Sequence, residues 1–363
     1  MRRLGVTLIP ALALALALPA AATSAPVRQP DTTPAKPHPF DDDWTEKVLD
    51  ADQNFRGLEA VSKKEAWVTG ESLTDGGPAT VFRTTDRGQT WTDVSPDDTA
   101  GLSFRDVEVN GKVAHVLAIG PGEASRIYRS TDGGESWTIA FQNEDEAAFY
   151  DCMAFYPGGQ KGLAVSDPVD GKLRILATDD RGRTWTVLSN AGMPASADEY
   201  GFAASGDCLV TAGKAAFLIT GGAKSRVLRS DDRGLTWTDV ESGIPEGPAA
   251  GGFAGAFASP RRGIAVGGDF GEKPVLEDNV AYTRDGRTWT GGITLTHVGE
   301  DVTFIRGWKL AVATGDYRGS VGTSLTRDGG ATWTRVSDLG YHVVDCVAKV
   351  CWAAGSKGRV GRG

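Results

Sequence analysis

Methionine is scarce in this chain, with 3 in 363 residues, and there are only 4 histidines and 4 cysteines. No H-x-x-x-H pair or His/Cys ligand spacing occurs among them, so a histidine- or thiolate-built metal centre is not expected. A basic excess is also missing. Lys plus Arg number 38 against 47 Asp plus Glu, a formal charge of −9. That balance argues against nucleic acid as partner, because such binding draws on basic residues that neutralise phosphates. There is no G-x-G-x-x-G between a strand and a helix, no Walker-type loop, no C-x-x-C-H and no G-x-S-x-G. Gly120-Pro121-Gly122 and Gly267-Gly268-Asp269 read as turns, and no cofactor is expected. Beyond the first residues no apolar run exceeds strand length, so no membrane span is expected in the mature chain.

The first forty residues stand apart. Arg2 and Arg3 precede an apolar run from Leu4 to Leu18, and Ala20, Ala21 and Ala22 supply small residues for cleavage. This is the pattern of an export signal over residues 1–22, cut after Ala22, with the paired arginines leaving the export route open. Fifteen apolar residues are short for a span of about 20. No cysteine precedes Cys152, which excludes a lipid anchor on a cysteine at the cut. Residues 23–40 carry Pro26, Pro30, Pro34, Pro37 and Pro39 and read as a disordered linker that includes His38. The expected mature protein is therefore secreted, with one domain over residues 41–363.

Glycine and tryptophan are abundant, at 48 and 10, and the tryptophans are periodic. Thr84-Thr85-Asp86-Arg87-Gly88-Gln89-Thr90-Trp91 recurs as Ser130–Trp137, Thr178–Trp185, Ser230–Trp237 and Thr326–Trp333. A copy one residue shorter runs Thr283–Trp289. Trp91, Trp137, Trp185, Trp237, Trp289 and Trp333 are 46, 48, 52, 52 and 44 residues apart, the length of a four-stranded propeller blade. An aspartate can accept backbone N–H groups a few residues on, and a glycine supplies positive φ, so each copy is expected to be a hairpin turn. Asp86, Asp132, Asp180, Asp232, Asp285 and Asp328 are accordingly given a structural task, because the same residue in every unit needs no separate chemistry.

Inner strands are expected to begin near Phe55, Phe104, Phe149, Phe202, Phe253, Val302 and Val343, which is one more than the number of repeats. The last unit lacks an outer strand, and Asp43–Val48 reads like the segment that follows a repeat. The expected fold is all-β: a seven-bladed propeller of four-stranded antiparallel blades, its ring closed by an N-terminal strand completing the last blade. Closure removes open sheet edges, which suits a monomer.

The S/T-x-D-x-G-x-T/S-W repeat resembles the Asp-box, or bacterial neuraminidase repeat. A seven-unit chain of this kind is most similar to the photosystem II assembly and stability factor family of propellers. Secreted bacterial homologues of that family are loosely labelled oxidoreductase, a label the motif does not support. Sialidases share the repeat, but their early Arg-Ile-Pro is absent; Phe82-Arg83-Thr84-Thr85 is the nearest match and runs straight into a repeat. The resemblance implies a binding or assembly propeller rather than an enzyme.

Four cysteines in an exported chain favour two disulfides, with buried free thiols as the alternative. Cys346 and Cys351 flank a four-residue turn, while Cys152 and Cys208 fall on the expected inner strands of blades 3 and 4. Ligands are expected on the face opposite the repeats, where loops carry Tyr150, Asp151, Asp167, Asp170, Lys172, Tyr200, Arg126 and Asp269. Carboxylates, aromatics and scattered cations there suit an unidentified protein or glycan. A secreted non-catalytic binding propeller is the leading reading, and a glycan hydrolase or lyase using loop carboxylates is the alternative.

Overall fold

The computed structural model describes residues 44–271 and 277–363. The export signal, the proline-rich linker with His38, and Glu272 and Lys273 lie outside the described residues. What is described is seven antiparallel sheets in chain order. Blade 2 illustrates them: Ser103–Asn110, Val113–Ile119, Arg126–Ser130 and Thr138–Gln142 run from the axis outward. The other inner strands are Gln53–Glu59, Tyr150–Phe155, Leu209–Ala212, Ala250–Ser259, Asp301–Arg306 and Val343–Val347. Second strands are the most apolar, as in Val113–Ile119, because neighbouring blades cover both their faces. No helix among the described residues is long and apolar enough to cross a membrane.

Six repeats form the turns between third and outer strands. In blade 2, Asp132 accepts hydrogen bonds from Ser136 N at 3.0 Å, Ser136 Oγ at 2.6 Å and Ser130 Oγ at 2.8 Å. Asp86, Asp180, Asp232, Asp285 and Asp328 accept the same kind of bonds from Thr90, Thr184, Thr236, Thr288 and Thr332. Donation by Thr90 and Ser136 holds the Asp86 and Asp132 carboxyls down at about 2. Each turn delivers its tryptophan onto the preceding blade. Trp137 meets Trp67 edge-on at 6.3 Å, Trp185 meets His115 at 6.5 Å, and Trp91 meets Trp352 at 5.9 Å.

The ring closes as expected. Thr45–Val48 pairs antiparallel with Arg359–Arg362, from Thr45 opposite Arg362 to Val48 opposite Arg359. Trp44 Nε1 donates to Tyr341 Oη at 2.7 Å, and Tyr341 Oη in turn donates to Glu46. Both disulfides are present. Cys346–Cys351 bridges directly opposed residues, and Cys152–Cys208 joins blades 3 and 4.

One boundary is corrected. The inner strand of blade 4 begins at Leu209 rather than near Phe202, so Cys208 precedes that strand. Residues 201–208 contain Gly201, Ala203, Ala204, Ser205 and Gly206, too small and irregular to supply an alternating buried face. Phe202 packs instead on Phe253 and Phe270 of blade 5. Just before it, Glu199–Tyr200 pairs with Gly221–Gly222, extending the sheet of blade 5 to six strands.

Two outcomes follow. Removing Trp44–Val48 unpairs Arg359–Arg362, so amide exchange at Val360 and Arg362 is expected to accelerate and the thermal midpoint to fall; unchanged protection there would contradict closure by this strand. Replacing Cys152 and Cys208 together by serine opens a loop of 56 residues, which chain entropy values at about 4 kcal/mol. Denaturant unfolding measures that loss, and a variant as stable as the parent would show that the bridge contributes nothing.

Candidate functional site

Inner strands point alternate side chains at the axis, and two of them repeat a pentapeptide: Phe55-Arg56-Gly57-Leu58-Glu59 and Phe104-Arg105-Asp106-Val107-Glu108. Each arginine lies toward the loop face and each glutamate toward the repeat side. Arg56 Nη1 donates to Ala204 O at 2.8 Å and pairs with Glu300 at 3.0 Å. Arg105 donates to Ala203 O at 3.2 Å and pairs with Glu71 at 3.0 Å. Residues 201–207 belong to the entry of blade 4, so bonds to blades 1 and 2 carry them across the axis. They close the loop-face end of the channel. Glu300 is wholly buried, yet its carboxyl sits at about 2. His342, whose Nδ1 lies 3.0 Å away, and then Arg56 hold the Glu300 carboxyl down against its burial, while burial pushes His342 itself down.

Beneath this closure lies a cavity of about 330 Å³, lined by Glu59, Glu108, Asp207, Thr211, Thr303 and Asp345 among others. Asp106 and Asp301 border it from within the wall, accepting Met153 N at 2.6 Å and Val344 N at 2.7 Å. Six carboxyls from blades 1, 2, 4, 6 and 7 thus surround one axis. Burial raises all six, and repulsion adds to it: Glu59 senses Asp345, Asp207 and Asp106, and Asp207 is pushed up to about 7. The fold therefore favours the protonated forms of these groups relative to the unfolded chain. Among the described residues, no three His, Cys, Asp or Glu side chains converge in a way that could hold a metal ion.

The loop residues singled out in the sequence divide into latches and exposed groups. Tyr150 is 1% exposed and packs edge-on against Phe141. Arg126 donates to Glu123 O within its own blade, and Lys172 to Asn190 O. Asp269 accepts Gly271 N at 2.6 Å. Asp170 occupies an exposed left-handed turn at φ 53°. The structure does bring Asp151 and Asp167 together. Burial and the Asp167 charge push the Asp151 carboxyl well up, while burial raises Asp167 to about 6. Gly201 N donates to Asp167 at 3.2 Å, tying the pair to the axial segment, and Tyr200 beside it is 41% exposed. Neither the axial cavity nor the groove between blades 3 and 4 is lined by Asp151 or Asp167. His115 and His297 are buried and hydrogen-bonded, His115 stacking on Phe155 at 4.5 Å.

The axial cluster was not anticipated. The repeated Phe-Arg-x-Leu/Val-Glu was its available signal, but Asp207, Glu300, Asp301 and Asp345 carry no shared spacing and meet only when the ring closes.

No family model matches the chain, and no curated protein matches it. Solved structures do. YCF48 bound to a D1 peptide has a TM-score of 0.62 at 16% identity, covering 88% of this chain and 96% of that one. YCF48 from Cyanidioschyzon merolae gives 0.59 at 16% identity, over 88% and 98%. A chain of the mitotic checkpoint complex gives 0.57 at 13% identity, over 98% of each. At these identities the likeness is one of fold. The chain is a seven-bladed propeller similar to YCF48 and to a propeller of a protein assembly.

Proton linkage gives this site a measurable signature. Carboxyls raised in the fold retain protons that the unfolded chain releases, so their contribution is full below about pH 4 and lost as pH rises through their folded values. His115 and His297, lowered to about 3 and about 4, oppose this trend, as does His342, but only below about pH 7.5, where unfolded histidine still binds protons. Between about pH 7.5 and 8.5 only the carboxyl effect remains. The thermal midpoint is expected to fall across that interval, and Asp207→Asn to flatten the fall. A midpoint that rises would mean the axial carboxyls are ionised.

Proposed function

We propose that this chain is a secreted, non-catalytic propeller that binds a polypeptide partner on its loop face, opposite the repeats. The observation that carries this reading is the pinned segment 201–207, which turns the loop-face end of the channel into a closed platform. Tyr200 next to it exposes 41% of its surface and Leu73, in the loop that follows a second strand and bonded to Asp52 O, 54%, apolar side chains suited to a protein contact. Asp167, beside Tyr200, offers a carboxylate within reach of the same partner. The N-terminal Arg2-Arg3, the apolar run and Ala20–Ala22 support export, and two disulfides fit an oxidising compartment. The repeat is read as an Asp-box. Likeness to YCF48 bound to a D1 peptide and to a checkpoint-complex propeller favours a polypeptide as the ligand class.

The Asp151–Asp167 pair keeps a glycan-processing reading in view, since two carboxyls with separated proton affinities are what such chemistry uses. Both readings meet in one experiment. Peptides selected from a random library on the purified protein are expected to bind saturably and to weaken about tenfold on Tyr200→Ala, the loss typical of an interface aromatic. Unchanged affinity in Tyr200→Ala and Asp167→Asn would remove the loop face from binding. Release of reducing ends or unsaturated products from a polysaccharide panel, lost in Asp151→Asn, would establish the enzyme instead.

A further inference from the structure

A second site lies on the opposite side, where blade 3 lacks a feature that four of the other blades share. In blade 1, Trp67 stands opposite Arg83 on the next strand, and the guanidinium lies 5.1 Å from the indole centroid. From there Arg83 Nη1 reaches into the next blade and donates to Gly133 O of its repeat turn at 3.0 Å. Blade 2 places His115 opposite Arg129, whose Nε donates to Arg181 O at 3.0 Å. Blade 4 places Phe217 opposite Arg229, 5.2 Å over the ring, and Arg229 Nη1 donates to Gly286 O at 3.1 Å. Blade 7 places Trp352 opposite Arg362, 5.1 Å over the ring, and Arg362 donates to Lys63 O. An arginine on an aromatic shelf therefore plugs the groove between each of these blades and the next.

Blade 3 has Leu163 opposite Ala177 at the same register. Both members of the plug are cut short, and the groove stands open. Its volume is about 430 Å³, against about 240 Å³ beside Arg229 and Gly286 and about 20 Å³ beside Trp352 and Arg362. Two further blades lack an arginine at this register, but neither interface is left open in the same way. Blade 5 has Ile264 opposite Tyr282, with Arg284 lying 5.0 Å over the Tyr282 ring and donating to Asp328 O of the next repeat turn at 2.8 Å. Blade 6 has Val312 opposite Leu325, where blade 7 carries no repeat turn and Leu310 and Trp44 pack against the cluster. The open groove still faces an intact turn. Arg233 holds in its repeat the place that Arg181 holds in the clamped turn of blade 3, and both adopt φ 66°. Tyr156 lines the groove, is 6% exposed, and has a hydroxyl with no hydrogen-bond partner among the described residues.

We propose that this groove between blades 3 and 4 receives an arginine side chain of a partner polypeptide, supplying from outside the guanidinium that blades 1, 2, 4 and 7 supply from within. Tyr156 and Leu163 provide the shelf, Arg233 O accepts from the guanidinium as its sibling carbonyls do, and the Tyr156 hydroxyl gains a donor. Asp179, 79% exposed at the rim and 4.0 Å from Lys161, offers the charge. The neighbouring cations are no bar, because Arg129 occupies its own groove beside Arg181 and Arg183. Lysine fits less well, since it lacks the planar fork that stacks and donates sideways at once.

The probe is the tripeptide acetyl-Gly-Arg-Gly-amide, titrated into protein carrying ¹³C-labelled alanine methyls, with the citrulline tripeptide as its neutral isostere. A saturable shift of the Ala177 methyl is expected, about tenfold tighter for arginine than for citrulline, as loss of a charge-assisted hydrogen bond implies. Ala177→Arg is expected to fill the groove, raise the thermal midpoint and abolish the titration. Should that variant fail to fold, Thr186→Trp, at an exposed rim position, roofs the groove and is expected to block binding alone. No saturable shift, an equal response to citrulline, or binding untouched by either variant would overturn the proposal. Tyr200→Ala is expected to leave this titration unchanged, and its loss in that variant would overturn the proposal as well, so failure here is separable from failure of the loop-face reading.

Discussion

Each repeat turn is held by one carboxylate that accepts backbone and hydroxyl donors together, and the rest of the molecule is aligned by that turn. With Asp132 bonded to Ser130 and Ser136, the chain reverses within a few residues and Trp137 lands on Trp67 of the blade before. The turn also presents a carbonyl toward that blade. A single hairpin thus sets the outer strand, the inter-blade aromatic contact and the acceptor that the preceding arginine clamps. A propeller blade cannot bury its faces alone, so this lateral contact, made six times and completed by Thr45–Val48, is what makes seven marginal sheets one fold.

The axis obeys a different constraint. Seven inner strands bring side chains into a space with little water, where an unpaired charge is costly. The molecule resolves this in two layers. Toward the loop face the guanidinium groups of Arg56 and Arg105 meet Glu300, Glu71 and the carbonyls of residues 203 and 204. Toward the repeat side burial and mutual repulsion raise the carboxyls of Asp207, Asp301, Glu59 and their neighbours, which favours their protonated forms. The cationic layer is also what fixes the axial segment, so closure of the channel and neutralisation of its mouth are one arrangement.

Much of the fold was legible because repetition is legible. The tryptophan period counted the blades, and the likeness of Asp43–Val48 to post-repeat segments located the closing strand. The cysteine pairs followed from blade order, although Cys208 proved to lie before its strand. Sequence reading failed where the period was broken. Phe202 resembled the start of an inner strand, but the glycines and alanines around it form the axial segment instead. The candidate loop residues show the same limit: Arg126, Lys172 and Asp269 are occupied by nearby backbone groups, a fact about geometry that composition does not carry. The channel acids were invisible for a related reason, since residues as distant as Glu59 and Asp345 become neighbours only on closure.

Repetition also supplies a standard against which departures acquire meaning. Three of them coincide at blades 3 and 4: the displaced inner strand, the Cys152–Cys208 bridge and the Leu163–Ala177 gap. The gap weakens the lateral clamp at this interface, since Ala177 cannot reach Arg233 O, and the disulfide restores a covalent tie between the same two blades nearer the axis. A covalent staple at that position permits the outer groove to stay open without loosening the ring. Stability has been moved inward there, and an unfilled volume of about 430 Å³ is left at the surface where four sibling interfaces carry an arginine.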